Sequence, residues 1–157
     1  MNALAVEVSN RTRARIDAGA VASLVAGVLA GEGVAAGEIG VHFVGEGRIR
    51  ELNREHRRLD EATDVLSFPL ESVDGESFAP AGDDEVPRLL GDVVVCPRRA
   101  VAQARAAGTP LAFELALLCV HGTLHVLGYD HETDAGEMAL RQARYLDDAS
   151  WRYVLGD

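Results

Sequence analysis

The chain contains no lysine; its fifteen basic residues are all arginine, against 25 Asp and Glu, for a net charge of −10. That balance argues against a broadly basic nucleic-acid binder. Uniform arginine usage can also reflect genome composition, so an arginine cluster here is weaker evidence for phosphate binding than elsewhere. Cysteine is scarce. Cys96 and Cys119 each sit in an apolar run and read as buried free thiols, the usage of a reducing cytoplasm. The opening MNALAVEVSN lacks the basic start and apolar run of a secretory signal, so none is expected. The most apolar stretch, PLAFELALLCVHGTLHVLG, carries Glu114 and two histidines. It reads as a buried helix, not a membrane span. No internal repeat is found.

What is present fits one domain over residues 1–157, with 48% apolar and 25% charged residues, as in ordinary soluble globular proteins. Alternation through Leu4, Val6 and Val8 predicts a first strand, LAVEVSN. Asn10 can cap a helix over 11–31, with Ile16, Val21, Leu24, Val25 and Leu29 inward and Gly31 and Gly33 ending it. EIGVHFVG reads as a second strand, in which His42 is a surface or half-buried residue. EGRIRELNREHRR predicts a helix, and TDVLSFPL a strand broken by Pro69. Residues 71–87, rich in Gly, Pro, Asp and Glu, read as an acidic loop between strands. LLGDVVVCP is almost continuously apolar and so is expected to be a central strand. Helices are expected over PRRAVAQARAAG, over 111–127 and over 134–149. The fold class is therefore α/β (α+β), a small mixed four-stranded sheet covered by about five helices. Its third and fourth strands can pair as a hairpin.

Chemistry concentrates in HGTLHVLGYDH, residues 121–131, which holds three of the five histidines. His121 and His125 are four apart, which on a helix is about 40° of rotation and about 6 Å of rise, so both imidazoles leave one face. At that spacing two nitrogens reach one zinc at about 2.0–2.1 Å. Gly128 can turn the chain back, and His131 lies just past it. Three imidazoles with an open fourth position make a catalytic zinc site. The spacing resembles the metzincin protease signature HExxHxxGxxH, but Gly122 stands where the general-base glutamate would be. A peptidase would lack its base.

The full string instead resembles the signature of the YbeY family, bacterial endoribonucleases and rRNA maturation factors, approximately HGxLHLxGYDH. LNREHRRLDEATDVLSFP resembles that family's LNxxYRxxDxPTDVLSFP, and LLGDVVVCP its LGDIxIxx strand. The resemblance covers most of the chain. Departures are His56 for an aromatic residue, often tyrosine, Ala62 for proline, Val126 for leucine and Gln142 for a common glutamate.

The resemblance implies a metzincin-like zinc helix with one Zn2+ held by His121, His125 and His131. It implies a cytoplasmic, single-strand-specific endoribonuclease, acting in rRNA processing at the 3′ end of the small-subunit rRNA and in ribosome quality control. Expected partners are ribosomal RNA and the ribosome or assembly factors, with neither membrane nor DNA. Zinc lowers the pKa of coordinated water to about 7 and polarises phosphoryl oxygens. Arg57 matches the family's arginine, and its guanidinium suits the charge that develops on non-bridging oxygens. Arg58 matches a commonly small position and is assigned only backbone-phosphate binding. Asp130 is read as a partner of a ligand imidazole or a support of the turn. Glu114 is read as orienting a ligand or a water, or equally as a member of a buried ion pair or a partly exposed carboxylate. Tyr129 reads as packing with scope for a hydrogen bond, Ser67 and Thr63 as cleft-lining residues, and Thr63 and Asp64 more as caps or braces of the turn into their strand. The alternative function is a ribosome-assembly binding factor whose metal is structural.

Overall fold

A computed structural model describes residues 3–70, 88–130 and 135–156. The acidic stretch 71–87 and His131 lie outside the described residues. Among the described residues, four strands form one sheet: β1 (Leu4–Asn10), β2 (Gly37–Phe43), β3 (Val65–Pro69) and β4 (Leu89–Val95), in the order β1-β2-β4-β3. β1–β2 and β2–β4 are parallel, and β3–β4 is the antiparallel pair that the sequence suggested. β4 is central, as its continuous apolar run requires. β3 is an edge, where Pro69, its last residue, needs no ladder partner on its outer side.

Among the described residues, five helices cover the sheet: α1 (Ala18–Gly31), α2 (Glu46–Arg57), α3 (Pro97–Ala107), α4 (Leu111–Val126) and α5 (Glu137–Leu146), followed by a 3-10 turn over Ser150–Tyr153. Ile39, Val41 and Phe43 on β2 and Val93 and Val95 on β4 point into the main core, against α1 and α4. Leu66 and Val94, of opposite parity, join Ile49 of α2 in a smaller cluster. α2 and α4 therefore pack on opposite faces of the sheet. Fully buried Phe43, Leu115 and Leu124 each contribute about 1.5–3 kcal/mol over exposure. A register shift between Glu38 and Ile39 lies opposite Leu89 and Gly91. Gly91 has φ +152°, and a Cβ there would stand 2.4 Å from the Phe68 carbonyl oxygen, so the bulge needs glycine.

Three boundaries depart from expectation. The first helix begins at Ala18, not residue 11. Asn10 caps a local turn instead: its Oδ1 accepts from the Thr12 amide at 2.9 Å, and its Nδ2 donates to the Ala14 carbonyl at 2.8 Å. Ile16 then bridges to Leu155, and Asp17 supplies the true cap, accepting from the Ala20 amide at 3.0 Å. The last helix is described from Glu137 and stops at Leu146, short of residue 149, where Ala149 takes a left-handed conformation. The buried helix expected at 111–127 is α4, and no single described helix is long and apolar enough to cross a membrane. Both cysteines are buried free thiols, and burial raises the Cys119 pKa to about 12.

Candidate metal centre

α4 lies close against the sheet at one point. Ser67 Oγ on β3 donates to the Gly122 carbonyl at 3.0 Å. A Cβ on Gly122 would stand 2.4 Å from Val93 Cγ1, so this position faces the strands at a distance only glycine allows. The absence of a glutamate beside His121 thus has a packing cause. Its side chain would enter the sheet.

His121 and His125, both half-buried, lie about 100° and about 60° around the helix from Gly122, so they flank the face that meets the strands. Their Nε2 atoms are 3.0 Å apart and their rings meet edge to face at 77°. Two tetrahedral ligands at 2.0–2.1 Å from zinc have nitrogens about 3.3 Å apart. The pair is within a few tenths of an ångström of that spacing, at a distance that also lets one imidazole hydrogen-bond to the other. His121 Nδ1 pairs with Gln142 Oε1 of α5 at 2.5 Å. With Nδ1 as the donor, Nε2 is the unprotonated ring nitrogen, the atom a metal would take. This is the second-sphere partner that the sequence reading did not assign; Gln142 stood out there only as a departure.

Gly128, at φ +104°, makes the expected turn after α4, and the Tyr129 amide bonds back to the Leu124 carbonyl at 3.0 Å. Asp130 is exposed beyond it. His131, the third expected ligand, lies outside the described residues. Among the described residues, no three His, Cys, Asp or Glu side chains stand together as a ligand set.

Tyr129 both packs against the core and makes the hydrogen bond open to it. Its hydroxyl donates to Glu32 Oε1 at 2.6 Å, while Tyr145 and Arg141 of α5 bind Glu32 Oε2, Arg141 at 2.9 Å. The Glu32 side chain is 6% exposed. Burial opposes its ionisation, but the two tyrosine hydroxyls and Arg141 outweigh burial and lower its pKa. Burial, and then the hydrogen bond to Glu32, raises the Tyr145 pKa to about 12.

The arginine cluster divides by role. Arg50 is held by Asp60 at 2.8 Å, and Arg48 by Glu51 at 3.2 Å. Arg58 is the left-handed cap of α2 at φ +60°, which explains why a small residue suits that position. Arg57, in the last turn of α2, is exposed, and among the described residues no carboxylate engages it. Its helix, α2, packs on one face of the sheet, and α4, which carries the histidine pair, packs on the other. Both helices rest on the edge strand β3. His56 packs edge-on against Phe68 with centroids 4.9 Å apart, as an aromatic residue there would.

Glu114 is buried in the first turn of α4, and its pKa is raised by burial and by the charge of Asp64. It therefore sits toward the start of β3. Asp64 accepts from Gln103 at 2.6 Å and from Thr63, the bracing role expected of that turn. On the opposite sheet face, His42 bridges Ser9 at its Nδ1 and Asp92 at its Nε2, each at 2.8 Å. These three residues line a groove of about 990 Å³ with Arg11, Arg48 and Phe68. No sequence signal joins positions 9, 42 and 92; only strand register does.

Comparison with known proteins follows the same residues. The family model described as Endoribonuclease YbeY matches residues 7–150. The Endoribonuclease YbeY of Salinispora tropica is 42% identical over 157 aligned residues, 95% of this chain and 97% of that one. That of Moorella thermoacetica is 48% identical over 122 residues, 74% of this chain and 76% of the relative. The solution structure of TM1509 from Thermotoga maritima superposes with a TM-score of 0.63 at 27% identity, over 94% of this chain and 91% of that one. Since the family match runs from β1 past the histidine helix and α5, this chain belongs to the YbeY endoribonuclease family.

Proposed function

We propose that the chain is a zinc-dependent, single-strand-specific endoribonuclease that matures ribosomal RNA, with the 3′ end of the small-subunit rRNA as its substrate and ribosome quality control as a second role. Family membership supports the endoribonuclease activity. The observation that carries the metal reading is the 3.0 Å approach of the His121 and His125 Nε2 atoms, with Gln142 on the outer nitrogen of His121. This donor set fits zinc: neutral imidazoles, one tautomer fixed from behind.

His121, His125 and His131 would hold the ion. Zinc would supply Lewis acidity toward a phosphodiester. Arg57 would bind the non-bridging oxygens, which gain negative charge as the bond breaks; a guanidinium keeps its proton throughout. Arg57 ends α2 and the histidines end α4, two helices that both rest on the edge strand β3, so a substrate that reaches both groups lies along that edge. A flexible single strand follows such a path more readily than a stiff duplex. The chain's net charge of −10 disfavours tight capture of free RNA, so delivery belongs to the ribosome or an assembly factor in the cytoplasm.

The test is cleavage of a single-stranded RNA spanning the 3′ end of the small-subunit rRNA, by native, metal-stripped and zinc-restored protein. Cleavage lost on stripping and regained with zinc supports the proposal. Undiminished cleavage after stripping overturns the zinc dependence. A protein that binds assembling small subunits with zinc bound, yet cuts no RNA, would favour the binding-factor alternative.

A further inference from the structure

We infer that Glu32, at the end of α1 and remote from any reacting atom, is a positioning residue for the histidine centre, acting through α5 on His121. This inference rests on the metal reading above.

One carboxylate gathers three donors from two different segments. Tyr129 comes from the turn that ends the histidine helix, and Arg141 and Tyr145 come from α5. Arg141 is the immediate neighbour of Gln142, whose side chain holds His121 Nδ1. The chain of contact is Glu32 to Arg141 and Tyr145, along α5 to Gln142, then to the imidazole. The two ends of α4's active segment are thereby referred to one fixed point. Gly31 makes room for it: a Cβ there would stand 2.5 Å from the Tyr145 hydroxyl. The guanidinium of Arg141 also lies 5.6 Å from the Tyr129 ring centroid, so the two segments brace one another.

The geometry gives α5 a reason to be where it is. α5 has only two buried residues, Met138 and Leu146, so its apolar anchorage is small. Besides these and the partly buried Tyr145, the bonds of Arg141 and Tyr145 to Glu32 restrain the rotation of α5 about its axis, and that rotation aims Gln142. Outer-sphere partners of metal-bound histidine change metal affinity about 10–100-fold when removed. Glu32, one step further out, is expected to change it about tenfold.

The test uses the full chain as Glu32→Gln, Gln142→Ala and the double variant. Glutamine keeps the size of Glu32 but loses its charge and one acceptor. Two readouts are taken on each: zinc affinity by chelator competition, and the His121 tautomer from nitrogen-15 spectra of the metal-free protein at a pH where the imidazole is neutral. Glu32→Gln is expected to weaken zinc about tenfold and to shift His121 away from the Nδ1–H form. In the double variant the loss should not exceed that of Gln142→Ala alone, because Glu32 acts through Gln142. Unchanged affinity and tautomer with only a lower Tm, or fully additive losses, would overturn the inference. If the native protein takes no zinc, the hydrolase reading fails, and the tautomer alone still decides the role of Glu32.

Discussion

Ser67 on the edge strand donates its hydroxyl proton to the carbonyl of Gly122 at 3.0 Å, fixing the histidine helix to the sheet one residue after His121. That bond requires close approach, and glycine permits it. Gly122→Ala should cost about 1–3 kcal/mol, the usual penalty for forcing atoms into a packed interface. Gly122→Glu should cost more and should not create a peptidase, since its carboxylate would enter the strands. Urea denaturation of both variants and a peptide-cleavage assay check this. A stable, proteolytic Gly122→Glu protein would contradict it.

Arg57→Ala should leave the Tm nearly unchanged, because the side chain is exposed and surface substitutions usually stay within about 0.5 kcal/mol. RNA cleavage should fall about 10²–10³-fold, the usual effect of removing one donor to developing charge. Arg54→Ala, on the same helix, serves as the control and should leave cleavage near the native rate. Equal losses in both variants would mean general electrostatic attraction and no specific role for Arg57.

Arg58→Gly should stabilise the protein by up to about 1 kcal/mol, because the left-handed backbone at φ +60° carries a Cβ penalty that glycine lacks. For a chain of this size that is a rise in Tm of about 2–4 °C. Calorimetry measures it directly.

Much of the site was legible because its information is local. The four-residue spacing of His121 and His125, Gly128 after them and the apolar length of α4 lie within one segment, and helix geometry converts spacing into a shared face. The β3–β4 hairpin was legible from two adjacent apolar runs. The start of α1 was not. Asn10 and Asp17 are both good caps, and the choice between them depends on a bridge from Ile16 to Leu155. The Glu32 clamp was not legible either, since its partners lie 97 to 113 residues away. Gln142 was visible only as an exception to a family pattern; its partner at His121 gives that exception a job.

Acid should loosen the clamp. The pKa of Glu32 is depressed in the folded protein, so its contribution is full above the unfolded value of about 4.3 and is lost as pH falls through the lower folded value. In Glu32→Gln the dependence of the urea midpoint on pH should be shallower below about pH 4.3. Identical slopes in the two proteins would show that this carboxylate contributes nothing to acid unfolding.

Metal content measures the central claim most directly. The protein is purified without added metal, beside His125→Ala, and metal per chain is determined by elemental analysis. About one zinc per chain in the native protein, lost in the variant, is the result predicted by imidazole nitrogens 3.0 Å apart. A well-folded native protein with no metal, or zinc retained at full stoichiometry in His125→Ala, would contradict it.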